Sequence, residues 1–260
     1  MKVTQQHYQF LVSISTFESQ INLLTRYSVE SCECFSLLQD KLDELCTWIL
    51  KKEQVVNELM GHSSEFDRQL KRLRETAVKA LCRLEKHQSL CARGHQLDIS
   101  EYLSQLSQNT QIELNSGSIG KNSRVLFVGS GSYPLSAFTI SQLTGAKVHG
   151  VDIDEQAVEM ANKLNVSNVV TSFGTQDLVT AFHQFNPTHI VVASLVEHKW
   201  ELLTELKPHL SRHHKILVRF GNKLKSAFNY PFNPLLIDGW QAAQVKNDMA
   251  VYDTVLMEIA

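Results

Sequence analysis

Three short segments carry residue types suited to holding a small polar ligand. The first is residues 124–136, RVLFVGSGSYPLS, where an apolar run leads into Gly129-Ser130-Gly131 and then Pro134. Glycines there let the backbone turn tightly and let a ligand approach the carboxyl end of a strand. A dinucleotide fingerprint would carry a third glycine; Pro134, a good first helical residue, stands in its place and favours a nucleotide-like ligand without a pyrophosphate. Asp152 ends a second apolar run about 20 residues on, where a carboxylate can accept hydrogen bonds from a ribose diol, and Asp154 suits the cap of the next helix. Asp177, after a third run, either takes the amino group of an adenine or caps a helix. Gly-x-Gly alone is also compatible with a tight turn that binds nothing.

These segments need strands and helices to hold them. Apolar strand candidates fall at 124–128, 147–151, 167–172, 188–194 and 214–219, with helical patterns at 134–143, 154–164, 176–185 and 199–208 between them. That alternation predicts an α/β fold, a mainly parallel, doubly wound sheet. Two final strands, 240–245 and 251–259, have no helix between them and should pair antiparallel. Residues 5–115 contain no proline and only Gly61 and Gly94, so helices are expected at 5–26, 29–60, 64–93 and 99–115. A polar link at 116–123 divides this helical N-terminal domain, 1–115, from the α/β domain, 124–260. In the third helix Leu70, Leu73, Ala77, Leu81, Leu84, Gln88 and Cys91 form one buried stripe. Glu85 sits at the edge of that apolar face.

A net charge of -2 gives no electrostatic reason to invoke nucleic acid or an anionic membrane. The five cysteines, an odd number without a regular framework, point to reduced thiols and a cytoplasmic protein. The first residues do not read as a signal peptide, and no apolar run approaches the ~20 residues of a membrane span. Among the eleven histidines, His213 and His214 are adjacent and would point to opposite faces. His87, His95 and His198 lack partners at ligand spacing, so no protein metal site is expected.

The Gly-x-Gly loop, with Asp152 and Asp177 on successive strand ends and an antiparallel ending, resembles the Rossmann-like class I methyltransferase fold that binds S-adenosylmethionine. That resemblance covers residues 124–260. A narrower one lies in VLFVGSGSYPLS, VDIDEQAVEMANKL, IVVASLVEHK and LVRFGNKLKSAFNYP, in that order behind a helical leader. These segments resemble the nicotianamine synthase family, and the chain length resembles its shorter bacterial relatives, which make opine metallophores of the staphylopine and pseudopaline type. The resemblance implies transfer of the 3-amino-3-carboxypropyl (aminobutyrate) group of S-adenosylmethionine to an amine, the α-amino group of histidine in the bacterial relatives, with release of methylthioadenosine. It also implies an opine dehydrogenase as pathway partner; a helical leader could additionally support a homodimer. The alternative is an ordinary S-adenosylmethionine-dependent methyltransferase acting on a small molecule.

Such a transfer needs the nucleophile placed in line with one of three activated carbons, and a carboxylate to attract and deprotonate the amine. Glu85, in a stretch that resembles the one carrying the family's catalytic glutamate, is the candidate base; its apolar flank would raise its pKa. The competing reading is a solvated helix glutamate among Lys86 and Arg83. Tyr102 resembles a tyrosine that helps line the site, and would look the same as a core aromatic. Gly129, Ser130, Gly131, Tyr133, Asp152, Asp177 and Ser194 form the expected cofactor side, with Tyr133 against the methionine part. Arg219, at the end of the fifth strand, would hold a carboxylate or form a fold-stabilising ion pair. Asn222 falls where the plant enzymes have a different run, and is the second candidate for acceptor binding.

Overall fold

The computed structural model describes residues 5–59, 64–91, 101–164, 166–233, 239–247 and 250–260, with the side chains of 57–59 and 101–108 outside that description. The proline-free leader forms α1 (Gln5–Tyr27), α2 (Glu33–Leu59), α3 (Ser64–Cys91) and α4 (Glu101–Gly117). Helix α2 begins later than the expected 29. The N–H groups of Glu30 and Ser31 both bond to the Tyr27 carbonyl and close a turn there. The stripe on α3 is buried from Leu70 to Gln88, whereas Cys91 is exposed. It packs with Ile14, Ile21, Leu42 and Ile49 of the first two helices.

After α4 the chain runs β1 (Arg124–Val128), α5 (Leu135–Thr144), β2 (Lys147–Val151), α6 (Glu155–Asn162), β3 (Val170–Gly174) and α7 (Leu178–Phe185). Then come β4 (His189–Val192), α8 (Lys199–Leu206), β5 (Lys215–Phe220), β6 (Trp240–Val245) and β7 (Asp253–Ile259). Strand β3 starts three residues after the expected position because Asn168, at φ 61°, still belongs to the turn. Pro134 caps α5 from outside instead of occupying its first turn. Asp154 caps α6, its carboxylate accepting the N–H groups of Gln156 and Ala157.

The seven strands lie in the order β3-β2-β1-β4-β5-β7-β6, parallel except for β7, which runs antiparallel to both neighbours. Residues alternate between faces along each strand. Val125 and Phe127 of β1 therefore join Leu114 of α4, Phe138 of α5 and Val158 of α6, while Leu126 and Val128 join Phe182 of α7 and Leu203 of α8. The leader is not walled off from this sheet: the core of α1 to α3 also takes in Leu224, Ala227, Phe228, Val251 and Tyr252.

Candidate active site

Helix α3 lies across the carboxyl ends of the neighbouring strands from β5 to β2, and its side chains meet the segments beyond three of them in order. Arg74 donates from Nη1 to the Ser226 carbonyl, beyond β5, at 2.8 Å. Glu85 reaches the loop after β1, and Lys86 pairs with Asp154, beyond β2, at 2.7 Å. Twelve residues of helix rise ~18 Å, enough to cross the three strand spacings of ~4.8 Å from β5 to β2. Arg74 and Glu85 are eleven residues apart, three turns and about 20° on, so they share the face turned towards the sheet. The crevice outside strand carboxyl ends is where open α/β sheets bind ligands, and α3 roofs it.

The loop after β1 is the floor. Gly129 and Gly131 have φ values of 79° and 70°, conformations that L side chains rarely adopt. A Cβ at 129 would stand 2.6 Å from Val196 Cγ2, and one at 131 would stand 2.7 Å from Glu85 Oε2. The glycine that frees the turn thus also lets the Glu85 carboxylate approach the backbone. Ser130 is buried, and its Oγ has no hydrogen-bond partner among the described residues. The Ser89 hydroxyl donates to the Ser132 carbonyl, tying α3 to the loop. Asp152 holds the loop from the other side: Oδ2 accepts the N–H of Gly131 at 2.8 Å and Oδ1 that of Asp154 at 3.0 Å. Burial, and then the Asp152 charge, push the Glu85 carboxyl up to about 8. Lys86, the neighbour expected to solvate Glu85, is engaged with Asp154 and Gln156 instead.

The other expected site residues are placed as follows. Tyr133 is half-buried against the helical core, and burial raises its hydroxyl pKa. Asp177 is exposed at the start of α7, where Oδ1 accepts the Thr180 N–H at 2.9 Å. Ser194 is buried just past β4, and its carbonyl accepts from Tyr230 N–H and Lys199 Nζ, both at 3.0 Å. Tyr102 lies on α4, with its side chain outside the described residues.

Two expectations are corrected. Arg219 is not available to a substrate carboxylate: its Nε and Nη2 grip Glu113 at 2.6–3.1 Å, its Nη1 donates to Ser136 Oγ at 2.8 Å, and it is buried between the rings of Phe127 and Tyr252. The Asn222 amide is spent on the backbone of Phe232, donating to its carbonyl at 2.8 Å and accepting its N–H at 3.2 Å. Both residues build the frame around the crevice.

Sequence reading passed over three residues at the same crevice. Ile153, next to Asp152, has its side chain wholly exposed at the end of β2, an apolar surface where a flat base could lie. Arg74 and Lys199 are buried beside the ring of Tyr230. The eleven-residue step from Arg74 to Glu85 was the available signal for the first cation. Lys199 stood in the IVVASLVEHK segment but looked like an ordinary helix-start lysine. Among the described residues no cluster of three or more His, Cys, Asp or Glu side chains could hold a metal ion.

A doubly wound sheet ending in an antiparallel β7, with a glycine-floored, acid-edged crevice at its carboxyl ends, defines a class I methyltransferase-like protein with a helical leader. Three comparisons narrow that class. Residues 4–258 match the family described as "Nicotianamine synthase protein", so the chain belongs to the nicotianamine synthase family. It is 33% identical over 257 residues to the L-histidine 2-aminobutanoyltransferase of Pseudomonas aeruginosa, covering 96% of this chain and 97% of that protein. It is 30% identical over 258 residues to the enzyme of the same name from Yersinia pestis, covering 95% of each. The crystal structure of MtNAS in complex with MTA and tNA superposes with a TM-score of 0.78 at 17% identity over 96% of this chain and 98% of that one. A glutamate-to-glutamine mutant of MtNAS in complex with S-adenosylmethionine gives 0.76 at 17% identity, with the same coverage.

Proposed function

We propose that this chain transfers the 3-amino-3-carboxypropyl (aminobutyrate) group of S-adenosylmethionine to the α-amino group of L-histidine and releases methylthioadenosine. The observation that carries the reading is the Glu85 carboxylate, roofed by α3, pressed against Gly131 and raised into the range of a general base at neutral pH. The names of the Pseudomonas and Yersinia relatives support the acceptor and the group transferred. In the reaction the α-nitrogen forms a bond to the γ-carbon of the methionine chain, the bond from that carbon to sulfur breaks, and its electron pair neutralises the sulfonium. The amine proton passes to Glu85.

The remaining roles follow the crevice. Gly129 and Gly131 give the nucleoside close access, and the buried Ser130 hydroxyl, which has no partner among the described residues, is a polar group of the loop left for a ligand to satisfy. Asp152 accepts from the ribose diol with the lone pairs its loop contacts leave open, and Ile153 lies under the adenine. Asp177, exposed at the helix start, offers a carboxylate to the adenine amino group. Tyr133 and Ser194 border the methionine part, and Tyr102 lines the acceptor side. The product keeps the primary amine of the transferred chain, suited to condensation with a 2-keto acid by an opine dehydrogenase, and a secondary amine between two carboxylate-bearing chains, suited to metal binding. No helix among the described residues is long and apolar enough to cross a membrane; a cytoplasmic homodimer is the working assignment for the assembled enzyme.

Incubation with S-adenosylmethionine and L-histidine tests the reading. Methylthioadenosine should accumulate with one equivalent of the histidine adduct, and Glu85→Gln should lower kcat by at least about 100-fold. S-adenosylhomocysteine as the sole nucleoside product would make the protein a methyltransferase and overturn the assignment.

A further inference from the structure

Four cations of the described chain are buried, and the fold treats them in two ways. Arg219 pairs with Glu113, and Lys225 with Asp253 and Glu53. Arg74 and Lys199, 8% and 1% exposed, make no ion pair among the described residues. Arg74 gives Nη1 to the Ser226 carbonyl, and its buried Nε has no partner. Lys199 Nζ donates to the carbonyls of Ser194 and Val196. Both flank one ring: the guanidinium carbon is 5.0 Å and the ammonium 5.7 Å from the centroid of Tyr230. The acids that act on the pair, Glu75 and Glu197, are both exposed, and Glu197 is hydrogen-bonded to Tyr230. Burying a charge without a counter-ion is costly, and two adjacent cations repel each other as well. Burial, and then the Arg74 charge, pull Lys199 down to about 7.

We propose that Arg74 and Lys199 form an anion subsite that holds the carboxylate of the transferred aminobutyrate chain. The inference rests on the donor proposed above. Its position selects between the two carboxylates in play. Arg74 and Glu85 share a face of α3 and are separated by ~16 Å of helical rise. From the base, an acceptor nitrogen at hydrogen-bond range, the reacting carbon in near-attack contact and then the donor chain place the donor carboxylate and its cation ~13 Å away. The acceptor's own carboxylate is two bonds from its amine, and a cation serving it would stand only ~8 Å from the base. Lys199, at the start of α8, also holds the carbonyl of Val196, whose side chain lies against Gly129 on the cofactor side of the floor. Clamping the far end of the aminobutyrate chain draws it out along α3, so that its γ-carbon, and not the methyl group, faces the amine.

Two ligands that share the nucleoside but differ in that chain separate the effects. S-adenosylhomocysteine carries the carboxylate and methylthioadenosine lacks it. By calorimetric titration the unmodified enzyme should prefer S-adenosylhomocysteine. Lys199→Met and Arg74→Gln should each weaken S-adenosylhomocysteine about 10- to 100-fold while leaving methylthioadenosine within about twofold, the expected loss for a charge-assisted contact. Arg74→Lys, which keeps the charge and most of the packing, should recover part of the loss and covers the case in which Arg74→Gln does not fold. In turnover KM for S-adenosylmethionine should rise with KM for histidine unchanged. Equal weakening of both nucleosides, no weakening of either, or a rise confined to KM for histidine would overturn the subsite. Absence of methylthioadenosine production with the ligand preference intact would instead overturn the proposed reaction.

Discussion

Two influences act on the Glu85 carboxyl in the same direction, burial under α3 and the charge of Asp152, and they give its ionisation opposite consequences for rate and for stability. Its folded pKa of about 8 lies above the ordinary 4.5. Across that interval the folded chain holds a proton that the unfolded chain releases, so the Glu85 contribution to stability is present below pH 4.5 and is lost as pH rises towards 8. The base, by contrast, is competent only once that proton has gone. Histidine transfer, measured as kcat/KM against pH, should therefore rise through a limb near pH 8. In Asp152→Asn that limb should move to lower pH, because the like charge has been removed, whereas a limb due to the acceptor's own amine would stay where it is. Glu85→Gln should raise the melting temperature at pH 8 while removing activity; a lower one would show that the carboxylate is not under strain.

At the scale of elements, the frame of the crevice depends on α4 and β5 being joined through a buried pair. Glu113 holds Arg219 and accepts from Thr254 Oγ1, so one carboxylate ties α4 to β5 and β7. Glu113→Gln would leave the guanidinium buried without its counter-charge. The expected cost is about 3–5 kcal/mol in urea unfolding, and the double variant Glu113→Leu, Arg219→Met should cost less than either single change. That pair also marks what the sequence could convey. Helices and parallel strands were legible because proline-free amphipathic runs and short apolar runs have different periods, and Gly129, Gly131 and Asp152 were legible because strand ends give such residues one common use. Arg219 was not: an arginine near a strand end reads the same whether its partner is a substrate or a glutamate 106 positions earlier in the chain. Arg74 was missed for the converse reason. Its significance lies in being buried with no ion pair among the described residues, a property that exists only after the chain has packed.

For the molecule as a whole, the site is assembled between the leader and the sheet, and so is a large part of the stability. Leu224, Ala227, Phe228, Val251 and Tyr252, all from the second half of the chain, are buried in the core of α1 to α3. Exposing the four larger of these side chains would forfeit roughly 8 kcal/mol, comparable with the whole stability of an ordinary domain. A fragment beginning at residue 118 would face that loss and would also strand Arg219 without Glu113. It should fail to give a cooperative melting transition, whereas the full chain should unfold in a single calorimetric transition. Two separable transitions, or a fragment that melts cooperatively, would mean that the sheet stands without its roof. Under the coupled arrangement, a ligand that binds between α3 and the strand ends stabilises both halves at once. S-adenosylhomocysteine at 100 times its dissociation constant should therefore shift the one transition upward as a unit, by about 2.7 kcal/mol at that saturation.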